Sequence, residues 1–262
     1  MELHLSDKVA VVTGASKGIG LAVVRALVAE GARVVAGARH PSDELTELTT
    51  SGRTRFVPVD LSTATGPAHL VEQAVSAFGR LDVLVNNAGA AHPRLGGFLT
   101  VSEADWEATM ALDFYAAVRA TRAALPHLLR TGAGTIVTVS SVNAFLPDPL
   151  VIDYCAAKAA LTNFLKSLSK EVGPRGVRVN SVSPGPVATA LWLGGDGVAA
   201  TVARASGGEP DAIVRQASTA MATGRFTRPE EVADLVILLA SDRAGNVTGS
   251  DFVIDGGLVT TL

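Results

Sequence analysis

Short apolar runs alternate with segments of helical periodicity along this chain, and this alternation restricts the possible folds more than any other feature. Val9–Thr13 is an apolar run rich in β-branched residues, and apolar residues then recur at helical spacing over 19–27. The same reading predicts further strands at 33–37, 54–59, 81–86, 135–139, 177–182 and 252–255. Strands that are apolar on both faces and separated by helices indicate a parallel sheet covered by helices on both sides. The sequence therefore predicts an α/β fold.

Glycine and proline mark the ends of several of these helices. Gly31 follows the first predicted helix, Gly79 follows a helix that starts near residue 64, and Pro229 precedes a helix over 230–240.

The 262 residues are 48% apolar, which is enough for one large core, and no Pro/Ser/Gly-rich linker or repeat divides them. We therefore predict a single domain spanning residues 1–262.

Composition and charge exclude several classes of partner. A net charge of −3 provides no basic stripe for nucleic acid or for an anionic membrane surface. The apolar stretches are far shorter than the roughly 20 residues of a membrane-spanning helix. The single cysteine, Cys155, excludes a disulfide within the chain, and the first residues lack a basic segment followed by an apolar one. We expect no nucleic-acid or membrane partner, and a cytoplasmic location.

The histidines do not form a recognisable site. The five histidines are dispersed without the paired spacing of metal ligands, and none lies near a serine motif. Neither a metal centre nor a hydrolase triad is therefore expected.

Chemistry is expected at one edge of the predicted sheet. In open parallel sheets, ligands bind outside the carboxyl ends of the strands, near the point where the strand order reverses. The segments that follow successive predicted strands are residues 14–20, Arg39, Asp60, residues 86–89, Ser141 and residues 184–189. These segments are distant in sequence, but the fold makes them neighbours.

Tyr154 and Lys158 are four residues apart in a predicted helix, and Ser141 lies upstream at the end of a strand. Side chains at i and i+4 share one helix face, so the ammonium can stabilise an ionised phenol. A nearby positive charge that lowers the phenol pKa by roughly 2 to 3 units would provide a general acid near neutrality. Taken alone, the pair also fits a packed tyrosine beside a solvated lysine.

The segment from Thr13 to Gly20 is a glycine-rich turn between a strand and a helix. Its glycines permit a tight turn and close backbone approach, and the free N–H groups at the helix start favour a pyrophosphate. The turn has no Gly-Lys pair followed by Ser or Thr, as a phosphate-binding Walker loop would, and the strict G-x-G-x-x-G spacing is absent. A bound nucleotide is therefore expected, without phosphoryl transfer.

Together these motifs resemble the short-chain dehydrogenase/reductase family in its single-domain form, over essentially the whole chain. The resemblance rests on Thr13-Gly-x3-Gly-x-Gly20, Asp60, residues 86–89 (Asn-Asn-Ala-Gly), Ser141, Tyr154-x3-Lys158, Asn180, residues 183–189 and residues 255–257. It implies a Rossmann-type doubly wound sheet of seven parallel strands with helices on both faces. It also implies a nicotinamide dinucleotide, hydride exchange with a carbonyl or alcohol, and a homo-oligomer, either a tetramer or a dimer.

The resemblance also implies roles for individual residues. Tyr154 would be the acid/base, Ser141 would hold the substrate oxygen, and Lys158 would acidify Tyr154 and bind the nicotinamide ribose. The residues implied to bind the cofactor are Gly14, Ser16, Lys17, Gly18, Ile19, Gly20, Arg39, His40, Asp60, Leu61, Asn87, Ala88, Gly89, Tyr154, Lys158, Pro184, Gly185, Val187 and Thr189.

The end of the second strand indicates which dinucleotide binds. An acid there would accept hydrogen bonds from a ribose 2′-OH, whereas a base would meet a 2′-phosphate. The family's NAD-selecting acid aligns with Ala38, and Arg39 and Lys17 supply positive charge nearby. This favours NADP(H). The alternative is that Arg39 only extends into solvent.

Asp113 departs from the family pattern, in which an Asn usually holds a water that relays protons to the lysine. A carboxylate can also hold water, and it would keep Lys158 protonated while opposing part of the field that acidifies Tyr154. We therefore include Asp113 among the catalytic candidates, with Ser141, Tyr154 and Lys158, and expect activity to survive the change.

Residues 190–225 form the least regular part of the sequence. Glycines there flank apolar residues such as Leu191 and Trp192, which predicts a mobile substrate lid. With Phe145 and Leu146, these residues predict an apolar ketone or a 3-oxoacyl-type substrate; the alternative is that they pack only on protein. His92 and Arg94 are further candidates for contacting a charged tail, and the apolar end of the chain, 252–262, predicts pairing between subunits.

The sequence thus predicts an NADP(H)-dependent carbonyl reductase or alcohol dehydrogenase acting on a small molecule. A second hypothesis is a cofactor-binding sensor or scaffold without turnover, which Asp113 alone supports. An enoyl reductase or epimerase within the same family would show a different Tyr/Lys spacing.

Overall fold

All seven predicted strands are present and form one parallel sheet. The computed structural model describes residues 2–261; Met1 and Leu262, which belong to the predicted domain and to its C-terminal segment, lie outside them. The strands are β1 (Val9–Thr13), β2 (Arg33–Ala38), β3 (Thr54–Pro58), β4 (Val83–Asn86), β5 (Thr135–Val139), β6 (Arg178–Pro184) and β7 (Asp251–Ile254). Their order is β3-β2-β1-β4-β5-β6-β7, with parallel pairing throughout. The predicted doubly wound Rossmann-type sheet is therefore confirmed.

Helices connect the strands. They are α1 (Gly18–Ala29), α2 (Asp43–Thr49), α3 (Gly66–Phe78), α4 (Glu103–Met110), α5 (Ala116–Thr131), α6 (Ile152–Val172), α7 (Ala190–Leu193), α8 (Val198–Ser206), α9 (Pro210–Thr219) and α10 (Pro229–Ala240). A π-helical turn over Ala111–Tyr115 joins α4 to α5. None of the helices formed by residues 2–261 has the length and apolar character needed to span a bilayer.

The apolar pattern of β1 explains why helices cover both faces. Its residues are fully buried and alternate between two cores: Ala10 and Val12 face the core under α1 and α10, whereas Val9 and Val11 face the core under α3, α5 and α6. A strand with a two-residue side-chain period and no polar face requires cover on both sides.

The predicted helix boundaries follow the expected chemistry. Gly79 ends α3 in the left-handed conformation, with φ of 73°, and Pro229 is the first residue of α10. β4 begins at Val83, two residues later than predicted, and the preceding Asp82 carboxylate accepts the Val9 N–H at 2.9 Å.

The prediction that residues 190–225 have the least regular secondary structure is wrong. This segment contains α7, α8 and α9. Gly194 and Gly207 follow α7 and α8, and Pro210 begins α9, so the glycines and proline mark helix ends. Val198 and Ala199 are buried, so one face of α8 packs against the protein. Movement of this segment as a lid remains a prediction.

Candidate active site

A cavity of about 460 Å³ opens at the carboxyl edge of the sheet. β1 and β4 are adjacent in the sheet, and from them the strand order runs outward in opposite directions. The cavity wall includes Ser141, Tyr154 and Lys158, which were predicted to share one site. The segments that follow several strands thus meet at one place, as the topology predicts for a ligand site.

Helix α6 presents Tyr154 and Lys158 to this cavity. Lys158 is 3% exposed, and its Nζ lies 5.4 Å from the centre of the Tyr154 ring. The same ammonium lies 3.5 Å from the Val139 carbonyl oxygen at the end of β5. The lysine therefore approaches the tyrosine as the i, i+4 spacing requires, and it is held between α6 and the sheet.

Asp113 is buried opposite Lys158, on the π-helical turn. Its Oδ1 lies 3.5 Å from Lys158 Nζ and accepts a hydrogen bond from the Ala90 N–H at 3.2 Å. Gly89 leaves room for this carboxylate, since a Cβ at this position would lie 2.6 Å from Asp113 Oδ1. Burial raises the pKa of Asp113 to about 6, although the charge of Lys158 opposes this rise.

The expectation that Lys158 makes Tyr154 acidic is not met by the protein alone. Burial raises the pKa of Tyr154 above its usual value, Lys158 and Ser141 oppose the rise, and Asp113 adds to it. The ammonium field is thus smaller than the cost of ionising a desolvated phenol next to a carboxylate. A phenol that ionises near neutrality would require more positive charge than Lys158 provides.

Ser141 is held by a residue that the sequence analysis did not single out. Its Oγ accepts a hydrogen bond from the Asn143 N–H at 3.1 Å and donates to Asn143 Oδ1 at 3.3 Å. Asn143 in turn donates to the Leu146 carbonyl oxygen. A serine followed two residues later by asparagine is a local turn signal that could have indicated this contact.

The glycine-rich turn is packed tightly against the start of α1. Gly14 has φ of 65°, and a Cβ on Gly20 would lie 2.2 Å from the Gly14 carbonyl oxygen. The Asn87 amide donates to the carbonyl oxygens of Thr13 and Gly14, at 3.0 Å each. The side chain of Lys17, at the N-cap of α1, makes no capping hydrogen bond, so the N–H groups of the first turn remain available to an anion. These residues fit the pyrophosphate of a dinucleotide.

The predicted cofactor residues fall into two groups. Those that line the cavity are Ile19, Asn87, Gly89, Tyr154, Lys158, Pro184, Gly185, Val187 and Thr189. Those that lie outside its wall, at or just beyond the carboxyl ends of β1 to β4, are Gly14, Ser16, Lys17, Gly18, Gly20, Arg39, His40, Asp60, Leu61 and Ala88. The two groups together extend over the carboxyl ends of six strands, as an elongated ligand would require.

The side chains predicted to select the dinucleotide are exposed. Lys17, Arg39 and His40 are all accessible to solvent. Within residues 2–261, neither Lys17 nor Arg39 forms an ion pair with a carboxylate closer than 4 Å. Hydrogen bonds from Ser62 and the charge of Arg39 lower the pKa of Asp60, so this carboxylate is ionised.

The rest of the cavity wall is largely apolar. The residues concerned are Val142, Leu146, Pro147, Pro149, Leu150 and Val151 on one side, and Leu191, Trp192, Val198, Ala217, Ala220 and Leu258 from 190–225 and the C-terminal segment. Trp192 packs edge-on against Phe226, with ring centres 5.1 Å apart. Of the apolar residues predicted to contact the substrate, Leu146, Leu191 and Trp192 therefore border the cavity, whereas Phe145 is exposed and lies outside its wall.

Arg94 cannot serve a charged substrate tail in the way suggested by the sequence. Its guanidinium is 14% exposed and forms ion pairs with Asp153 and Asp105. His92 is exposed. In the part of the chain that the structure describes, no group of three His, Cys, Asp or Glu side chains is arranged to hold a metal ion.

Comparison with known proteins agrees with this geometry. The family pattern described as enoyl-(acyl carrier protein) reductase matches residues 14–259. The short-chain reductase protein NovJ of Streptomyces niveus is 35% identical over 255 residues, covering 96% of this chain and 94% of the relative. The 3-oxoacyl-[acyl-carrier-protein] reductase FabG of Thermotoga maritima is 33% identical, covering 98% of this chain and 100% of the relative.

A solved structure is similar over its full length. L-Sorbose reductase from Gluconobacter frateurii, complexed with NADPH and L-sorbose, matches with a TM-score of 0.91 and 35% sequence identity, covering 100% of both chains. Both the sequence relatives and the shared architecture span the motifs on which the resemblance rests. The chain therefore belongs to the short-chain dehydrogenase/reductase family of oxidoreductases.

Proposed function

We propose that this protein is an NADP(H)-dependent oxidoreductase that transfers a hydride between the nicotinamide and a carbonyl or secondary alcohol. The observation that carries this proposal is the convergence of Ser141, Tyr154 and Lys158 on one cavity, beside Ile19, Pro184 and other residues of the predicted cofactor set. A hydroxyl donor, a phenol and an ammonium around one space form a site suited to a developing alkoxide.

Each side chain has a distinct part in this chemistry. In the reductive direction, Ser141 donates a hydrogen bond to the carbonyl oxygen, and Tyr154 donates the proton that this oxygen takes up. Lys158 lies 5.4 Å from the Tyr154 ring and stabilises the phenolate that remains. A dinucleotide held beside these residues would supply the hydride, and the positive charge of its oxidised ring would add to that of Lys158 near Tyr154.

NADP(H) is favoured by charge near the end of β2. Lys17 and Arg39 are exposed and without ion-pair partners in residues 2–261, and Ala38 provides no carboxylate to repel a phosphate. The guanidinium matches the geometry of a phosphate, with which it can form two hydrogen bonds. The NADPH bound to L-sorbose reductase supports the same assignment.

The substrate that fits the wall is an apolar ketone, or a 3-oxoacyl-type compound as the name of the FabG relative suggests. We further propose that residues 1–262 form one domain in which 190–225 closes over the substrate, and that the protein forms a homotetramer or dimer. Closure of α7 to α9 would exclude water from the site.

A ketone panel tests the function directly. Purified protein is incubated with NADPH or NADH and with apolar ketones, 3-oxoacyl thioesters and polyol-derived ketones, and absorbance of the reduced cofactor is followed. We expect oxidation of NADPH with apolar ketones. NADPH binding without turnover across the panel would instead favour the sensor hypothesis, which the Asp113–Lys158 pair supports. Equal efficiency with NADH would refute the cofactor assignment.

Asp113→Asn should move the titration of Tyr154 to lower pH. Asp113 raises the pKa of Tyr154, because an ionised phenol would face a second negative charge. Removing that charge should shift the tyrosinate absorbance titration of the apoprotein downward, with the Tyr154→Phe titration subtracted. The pH at which alcohol oxidation becomes half-maximal should fall with it. An unchanged titration would mean that the Asp113 side chain does not act on Tyr154.

A further inference from the structure

Arg94 connects the loop after β4, on which it lies, to α4 and to α6, the helix that carries Tyr154 and Lys158. Its backbone N–H donates to the Leu150 carbonyl oxygen at 2.7 Å, which ties the loop after β4 to the turn that precedes α6. Its Nη1 donates to Asp105 Oδ1 at 2.9 Å, in the first turn of α4. Its Nε and Nη2 both donate to Asp153 Oδ2, at 3.1 and 2.5 Å. The loop, α4 and α6 are thus joined by one side chain.

Asp153 is the residue immediately before Tyr154, and its charge is buried. The carboxylate is 2% exposed, and it also accepts a hydrogen bond from Thr109 at 2.8 Å. Its Oδ1 is buried and has no hydrogen-bond partner in residues 2–261. Burial would raise the pKa of Asp153, but the bonds from Arg94 and Thr109 outweigh it and lower the pKa. Arg94 is therefore what keeps this carboxylate ionised and compensated.

We propose that Arg94 is a positioning residue for the acid/base Tyr154: it fixes the start of α6 against the loop after β4 and cancels the charge of Asp153 beside the site. This inference rests on the proposed function in one respect, which is that Tyr154 acts as the acid/base. The contacts of Arg94 account for its role without reference to any particular substrate.

The side chains that act on the ionisation of Tyr154 are Lys158 and Ser141, which favour the phenolate, and Asp113 and Cys155, which oppose it. The other charged groups on the neighbouring elements are Asp153 on α6, Asp105 on α4, Arg94 on the loop after β4 and Asp148 before α6. In this set Arg94 and Lys158 are the positive charges. Without Arg94, the buried charge of Asp153 would lack its counter-charge one residue from Tyr154, and added negative charge disfavours a phenolate.

The test separates charge from position with four variants. Arg94→Gln removes the charge, Arg94→Lys keeps the charge but loses the two-pronged contact, and Arg94→Gln/Asp153→Asn removes both charges together. Arg80→Gln is the matched control. Arg80 donates to the buried carboxylate of Asp82 with Nε and Nη2, at 2.9 and 2.6 Å, but it precedes the amino end of β4, far from the site.

Tyrosinate titration of the apoprotein is the first readout, since it requires neither cofactor nor substrate. The chain has two tyrosines, so subtraction of the Tyr154→Phe titration isolates Tyr154. We expect Arg94→Gln to raise the midpoint by about 0.5 to 1 pH unit. Arg94→Lys, Arg80→Gln and the double variant should remain at the wild-type midpoint. Circular dichroism and thermal unfolding establish that each variant is folded at the temperature used.

Kinetics provide the second readout. We expect Arg94→Lys to lower kcat by about 10- to 100-fold at every pH, with little change in the KM for NADPH, because the phenol is displaced from the carbonyl. A wild-type titration in Arg94→Gln, or the same shift in Arg80→Gln, would overturn the electrostatic part of the proposal. If Arg94→Lys has wild-type kcat, or loses kcat and NADPH affinity together, Arg94 has only a structural role. If no variant or wild-type turns over any ketone, the titration still decides the electrostatic part.

Discussion

Tyr154→Phe is expected to reduce kcat for ketone reduction by about 10²- to 10⁴-fold, which is the contribution of a positioned general acid. The substitution removes one oxygen atom and leaves the ring, whose centre lies 5.4 Å from Lys158 Nζ. The packing of α6 should therefore be preserved. The loss should appear in kcat, because the proton is transferred only as the carbonyl is reduced.

NADPH fluorescence titration and thermal unfolding are the controls for this variant. Both should be close to wild type, since Lys158 and the glycine-rich turn are unchanged. Tyr115→Phe is a matched substitution, because the other tyrosine is 45% exposed and lies at the end of the π-helical turn. Turnover of Tyr154→Phe at the wild-type rate would remove the basis of the proposed mechanism.

Neutralising Lys17 and Arg39 together should reverse the preference between the two dinucleotides. A hydrogen bond to a charged group contributes about 1.5 to 3 kcal/mol, so two such contacts with a 2′-phosphate correspond to roughly 10²- to 10⁴-fold in kcat/KM for NADPH. Both side chains are exposed, and removing them leaves no buried charge without a partner. The protein should remain stable, and kcat/KM for NADH should change little.

The ratio of kcat/KM for NADPH to that for NADH is the measured quantity, at low and at moderate ionic strength. Salt should weaken the wild-type preference more than that of the variant, because exposed charges are screened. Arg25→Gln is a suitable control, since Arg25 is an exposed arginine on α1 that is paired with Glu44. An unchanged ratio in the double variant would mean that neither side chain meets a phosphate.

The sequence was sufficient for the sheet and for the location of the site because both depend on local patterns. Each strand is a short apolar run, and each candidate segment follows the carboxyl end of a strand. A parallel sheet brings those ends to one edge regardless of their separation in sequence. Tyr154 and Lys158 meet because helical geometry determines the i, i+4 relation. Their presence on one cavity wall with Ser141 follows from these local rules.

The remaining features depend on burial and on tertiary contacts. Desolvation is the main reason that the pKa of Tyr154 rises above its usual value, and no local sequence pattern reports desolvation. Arg94 and Asp153 are 59 residues apart, and nothing in either neighbourhood indicates that they pair. The helices in 190–225 were missed because their glycines also fit a flexible segment, and only the burial of Val198 and Ala199 distinguishes helix ends from hinges.

The Asn87 side chain has a consequence for the speed of ligand capture. Its hydrogen bonds to the Thr13 and Gly14 carbonyl oxygens link the turn after β1 to the loop after β4 before any ligand binds. A binding site that already has its bound conformation loses little backbone conformational entropy when the ligand binds. Binding of a dinucleotide to these two segments should therefore occur in a single rapid phase. Any slow step should arise from the helices of residues 190–225, which border the other side of the cavity.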